Sequence, residues 1–143
     1  MKLTPGKLIT EIELPSIEGE KFSIKKIKGK KTLLTFYRFA TCPFCNLRIH
    51  EITERYNELG ENFEIVAIFN SSQDYLAKVM EKHTAPFTIL ADENFEYFSK
   101  YEVEKSLIKF LIGSLVGFLR ILKASSKGYF PMELKGMTIV PVD

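Results

Sequence analysis

Tryptophan is absent from this chain, and cysteine and histidine occur only twice each. Two cysteines three positions apart cannot staple a small secreted domain, so the fold has to stand on a hydrophobic core. There is no second Cys-x-x-Cys and no close histidine pair, so His50 and His83 are poor candidates to complete a structural zinc site. Charge of one sign is also scarce: 20 basic residues against 18 acidic leave a formal charge of +2. A nucleic-acid binder carries a concentrated basic face, which this balance argues against. Long apolar runs are missing as well. The most apolar tract, Ser106 to Leu122, is interrupted by Lys109 and Arg120, and the ten residues between them fall short of the roughly 20 a membrane-spanning helix needs. The opening Met1 to Gly6 has neither an apolar stretch nor a small-residue cleavage site, so no secretory signal is read there. The expected compartment is a reducing, cytoplasmic one.

What is present suits one domain. The 143 residues are 45% hydrophobic and 13% aromatic, enough for a single core. Ile9 to Leu14 alternates with period two and Phe22 to Ile24 follows the Glu18-Gly19-Glu20 turn, which predicts a small hairpin. The lysines at 21, 25, 26, 28, 30 and 31 surround Phe22, Ile24 and Ile27, and read as the solvated side of that hairpin. Thr32 to Tyr37 and Phe63 to Phe69 are apolar without full alternation, as in strands covered on both faces of a parallel sheet. Between them a helix should start near Cys42 and stop at Gly60. Ser72 can cap a second helix bearing Tyr75, Leu76, Val79 and Met80, which must end before Pro86. Phe87 to Ala91 predicts a third strand and Asn94 to Tyr101 a third helix. Strand–helix–strand–helix–strand is the pattern of an α/β domain with parallel neighbours.

Cys42-Pro43-Phe44-Cys45 lies between a buried strand and an amphipathic helix, and that position gives the four residues their chemistry. The thiolate is the nucleophile, so the site must hold negative charge cheaply. Unpaired amides and the positive dipole end at a helix N-terminus do that. Pro43 suits the first helical turn, where its missing N–H costs nothing. A spacing of three puts Cys45 one turn below Cys42, close enough for a disulfide. Cys42, nearer the end and the surface, is the expected attacking thiol, and the more buried Cys45 the resolving one. Arg38, at the end of the strand, is a candidate to stabilise the thiolate through its permanent charge. His50 reads as an exposed helix residue, and His83 as a cation closing its helix.

The segment TLLTFYRFATCPFCNLRIHEI, Thr32 to Ile52, resembles the active-site strand, turn and helix of the peroxiredoxin-like branch of the alkyl hydroperoxide reductase/thiol-specific antioxidant (AhpC/TSA) family. Glu13 to Glu20 resembles that family's N-terminal hairpin, and Phe87 to Asp92 the strand ending in aspartate before its short helix. The resemblance covers most of the chain. It implies a thioredoxin-like three-layer sandwich and reduction of peroxides or disulfides through a cysteine at the helix start, with no cofactor beyond the thiols. It implies as partners a protein or small-molecule disulfide or a hydroperoxide, and a thiol electron donor. The family pattern places proline and threonine seven and three residues before the peroxide-reducing cysteine. Counted from Cys42 those places hold Thr35 and Phe39, leaving Thr41 and Arg38 as substitutes. Dithiol exchange is therefore the leading reading, ahead of a thiol peroxidase.

Three further expectations concern the rest of the chain. Pro43 and Phe44 should flank the substrate. Val140-Pro141 resembles the pair before the family's next strand, where the proline is cis and faces the cysteines. Only Val142 and Asp143 follow it, so the single domain is expected to lack a C-terminal hairpin and leave the Thr32–Tyr37 strand with an open edge. In 106–122 the apolar arc is wider than a surface helix needs, which suggests packing on the sheet, self-association of two copies, an apolar wall beside the cysteines or contact with a membrane surface. A non-enzymatic interaction module using that tract is the third class of function.

Overall fold

The computed structural model describes residues 4–9, 11–103, 122–123 and 126–128. Five strands and three α-helices follow one another along residues 13–100: β1 (Glu13–Pro15), β2 (Lys21–Ser23), β3 (Lys31–Tyr37), α1 (Pro43–Arg55), β4 (Phe63–Phe69), α2 (Gln73–Met80), β5 (Thr88–Ala91) and α3 (Glu96–Lys100). Strands β3, β4 and β5 form a parallel sheet in that order, with Leu34 opposite Val66 and Ile68 opposite Leu90. The parallel sheet with helical crossovers is the arrangement the apolar runs predict.

Period two in β4 divides the core. Ile65, Ala67 and Phe69 join Tyr37, Cys42, Cys45, Ile49, Leu76 and Met80 in the layer holding α1 and α2. Val66 and Ile68 join Leu14, Phe22, Phe36 and Phe98 in the layer holding the hairpin and α3. Successive side chains of a strand point to opposite faces, so a strand buried on both faces must be apolar throughout. Each large side chain so buried contributes about 1.5–3 kcal/mol. Ring pairs tie the layers to the sheet: Phe36 meets Phe98 edge-on at 5.2 Å, and Tyr37 stacks on Phe69 at 4.9 Å.

Local signals set most boundaries. Pro43 occupies the first turn of α1. That helix ends in a 3-10 turn over Tyr56–Leu59, after which Gly60 takes a positive φ of 79° that a side chain would resist. Ser72 caps α2 only through its backbone carbonyl, which accepts the Leu76 N–H, and its hydroxyl makes no capping bond. The third helix starts at Glu96, later than the sequence suggests, because Phe95 is left-handed with φ 57°. Its cap is Asp92, whose carboxylate accepts N–H bonds from Glu96, Tyr97 and Phe98 at 2.8, 2.8 and 3.1 Å.

The opening hairpin is shorter than the Ile9–Leu14 alternation predicts. Only Glu13, Leu14 and Pro15 find partners on β2, while Ile12 is buried and its carbonyl accepts the Ile24 N–H. In the turn between β1 and β2, Ser16 bridges Leu90, and the Ile17 N–H reaches the Ile89 carbonyl, so the hairpin covers the outer edge of β5. The lysines between 21 and 31 are all exposed, as the hairpin reading requires. Among the described residues no strand pairs with the other edge, β3, and no helix is long and apolar enough to cross a membrane. Val140, Pro141 and nearly all of 106–122 lie outside the described residues; Leu122, at the end of that tract, is exposed.

Candidate dithiol active site

The loop Arg38–Thr41 leaves β3 at its carboxyl end, where open α/β sheets place their ligands. It is held on both sides. The Asn70 N–H, just past β4, donates to the Arg38 carbonyl at 3.1 Å, and the Cys42 N–H turns back to the Phe39 carbonyl at 3.1 Å. Cys42 then caps α1, Pro43 is its first residue, and Cys45 faces inward from its first turn. The strand–CxxC–helix context read from the sequence is therefore present.

Both cysteines are free thiols, and each is only 1% exposed. This corrects the expectation that Cys42 reaches the surface. Its side chain turns into the apolar cluster with Phe39, Ala40 and Phe69 instead of toward solvent. The two buried thiols nevertheless sit in different electrostatic surroundings. Burial pushes the Cys42 thiol up, but the Cys45 thiol, the Cys45 and Phe44 backbone amides and the Arg38 charge together outweigh it, leaving Cys42 below the ordinary thiol value. Cys45 is driven well above that value, first by burial and then by its hydrogen bond to Cys42 and the Cys42 charge, against a smaller lowering by the Arg38 amide and guanidinium. One thiol is poised to ionise and its neighbour to stay protonated.

Arg38 and Thr41 are both buried in the loop that carries Cys42, so the structure gathers these candidates at one place. Pro43 and Phe44 are half-buried on the first helical turn, with Phe44 packed on the core cluster. His50 is half-buried on α1, with its Nε2 at 3.3 Å from Glu54 and 2.7 Å from the Lys127 Nζ, away from the thiols' immediate hydrogen bonds.

His83 differs from its expected role. It is buried, and burial, then the charges of Lys82 and His50, lower its pKa to about 4. It is therefore a neutral imidazole, not a cation at a helix end. Its Nε2 lies 2.9 Å from Oδ1 of Asn46, a residue the sequence reading passed over. Asn46 is buried, and its Nδ2 donates to the Ala40 carbonyl at 2.6 Å and to the Cys42 carbonyl at 3.0 Å. The available signal was an asparagine four residues after Cys42, in the interior of an apolar helix face where the residue is disfavoured unless its amide is used.

Residues 5–120 match the model of the AhpC/TSA family. Peroxiredoxin Bcp of Escherichia coli strain K12 is 26% identical over 109 residues, 74% of this chain and 70% of that protein. The chloroplastic peroxiredoxin Q of Sedum lineare is 28% identical over 117 residues, 81% of this chain and 61% of the relative. Among solved structures, peroxidoxin BcpB from Mycobacterium tuberculosis superposes with a TM-score of 0.64 at 21% identity, over 71% of this chain and 68% of its own. The thioredoxin domain of a thiol-disulfide oxidoreductase from Bacteroides vulgatus gives 0.61 at 18% identity, over 72% and 76%. With its thioredoxin fold and a match over most of its length, this chain belongs to the AhpC/TSA family and is a thiol-dependent oxidoreductase.

Proposed function

We propose that the chain is a dithiol–disulfide oxidoreductase in which Cys42 attacks and Cys45 resolves. The observation that carries this reading is the pair itself: two thiols in hydrogen-bond contact, shifted in opposite directions. The Cys42 thiolate attacks one sulfur of a substrate disulfide, forming a mixed disulfide and releasing the other half as a thiolate. Loss of the Cys42 charge removes one of the causes that hold the Cys45 proton, so the resolving thiol becomes easier to ionise only once the mixed disulfide has formed. Cys45, its proton given to solvent or the departing thiolate, then attacks Cys42 and releases the second half. The substrate gains two electrons, the Cys42–Cys45 disulfide forms, and two electrons from a thiol donor reduce it back to the dithiol. Arg38 supplies fixed positive charge to both thiols, and Pro43 and Phe44 form the rim of the first turn.

A second reading, hydroperoxide reduction, is favoured by the names of the relatives and by a Cys42 thiol so enclosed that a small oxidant reaches it best. In that reaction Cys42 takes the distal peroxide oxygen as a sulfenic acid, an alcohol leaves, and Cys45 expels water to form the same disulfide. Arg38 and Thr41 would hold the peroxide. The spacing supports exchange over this reading. Counted back from Cys45, the family's proline and threonine places hold Arg38 and Cys42, so a thiol stands where the threonine hydroxyl belongs. The test compares stopped-flow oxidation of reduced protein by hydrogen peroxide with turnover of a small disulfide. Disulfide turnover that requires Cys42, with slow peroxide consumption, is expected; rapid Cys42-dependent peroxide consumption with negligible disulfide turnover would reverse the assignment.

A further inference from the structure

Asn46 spends its amide nitrogen on the turn that carries Cys42. Both Nδ2 hydrogens are used, one on the Ala40 carbonyl in the loop and one on the Cys42 carbonyl at the helix cap. The Cys42 carbonyl also accepts the Asn46 backbone N–H at 2.9 Å, the first bond of the helix. Two carbonyls can only accept, so the amide nitrogen must face them and the amide oxygen must face His83. His83 Nε2 is then the donor, which sets the imidazole tautomer. Asn46 and His83 are 37 residues apart in sequence, and both are buried. Their bond fastens the 3-10 turn Glu81–His83, which follows α2, to the first turn of α1.

We propose that Asn46 and His83 are a positioning pair that sets the reactivity of Cys42 by clamping the Ala40–Cys42 loop onto the start of α1. The inference rests on reading Cys42 as the attacking thiol. The Phe44 and Cys45 amides help to hold the Cys42 thiolate, and their aim depends on where the cap residue sits. Without the Asn46 bridge, the Ala40 carbonyl loses its 2.6 Å partner and the loop can pull away from the helix start. With the bridge but without the His83 donor, Oδ1 of Asn46 is buried unpaired, a state that favours rotation of the amide out of register. The groups facing Cys42 are Arg38, Cys45 and the two amides, whereas His83 acts only through Asn46 and keeps its neutral form across the range in which thiols are assayed.

The experiment follows the pH dependence of Cys42 alkylation by iodoacetamide in reduced wild type, Asn46→Ala, His83→Leu and His83→Gln. The Asn46→Ala midpoint should rise by about one pH unit, a tenfold loss of thiolate below the midpoint. His83→Leu should shift the same way by less. The glutamine amide of His83→Gln can again donate to Asn46, and should restore most of the wild-type midpoint. Folded Asn46→Ala and His83→Leu proteins with the wild-type midpoint would overturn the inference. A measurement without variants guards against failure to fold: long-range nitrogen–proton spectra of the wild type should show His83 protonated on Nε2, and the Nδ1–H tautomer would overturn it equally. Faster labelling of Cys45 than of Cys42 in the wild type would instead refute the assigned roles of the thiols, whatever the variants do.

Discussion

Lowering the pH should destabilise this protein through one buried imidazole. His83 titrates at about 4 in the folded protein, because burial and, secondarily, the Lys82 and His50 charges disfavour its cation. In the unfolded chain the ordinary value is about 6.5. Between these values the unfolded state binds the proton and the folded state does not, so stability rises with pH through that window. The contribution is fully present above about pH 6.5 and is lost as pH falls toward 4. The whole interval corresponds to about 3 kcal/mol, and at pH 4.5 about 2.5 kcal/mol of it has been forfeited. Urea unfolding of the reduced protein at pH 7 and pH 4.5, for wild type and His83→Gln, isolates the effect. Carboxylates titrate in the same range, but they are common to both proteins and cancel in the difference. The glutamine variant should lose about 2.5 kcal/mol less than wild type over that interval. Equal losses in the two proteins would show that His83 is solvated or protonated in the fold, and the neutral-imidazole account would fail.

Two other perturbations probe different parts of the structure. Asp92→Ala removes the acceptor of three backbone N–H bonds at the start of α3, and should cost about 2–3 kcal/mol in urea unfolding while leaving the Cys42 alkylation midpoint in place. Arg38→Met keeps an unbranched side chain of similar reach but removes the charge that lowers both thiols, so the Cys42 midpoint should rise by about one pH unit; an unchanged midpoint would place the guanidinium charge too far away to matter.

The parts of the fold carried by local pattern are legible in the sequence. Strands β3 and β4 were visible because burial on both faces demands unbroken apolar runs, and the start of α1 because Pro43 and the two cysteines mark a helix N-terminus. The dithiol was legible for the same reason. What escaped was everything decided by contacts distant in sequence. Nothing near Cys42 shows that its side chain will turn into the core, since the enclosing residues come from β3, β4 and the loop together. His83 looked like a helix-end cation because its neighbours in sequence are Lys82 and Thr84; its real neighbour is Asn46, 37 residues away. Asp92 was recognised by resemblance as the end of a strand, but its three capping bonds depend on Phe95 adopting a left-handed conformation that no β-prone aromatic advertises.

The central claim, that Cys42 attacks and Cys45 resolves, is tested most directly by trapping. Reduced Cys45→Ser and Cys42→Ser proteins are mixed with glutathione disulfide and read by intact mass. The account predicts that Cys45→Ser accumulates a stable mixed disulfide on Cys42, while Cys42→Ser, left with the buried thiol whose pKa is raised, forms little or none over the same time. Rapid glutathionylation of Cys45 in the Cys42→Ser protein, with Cys45→Ser inert, would contradict it.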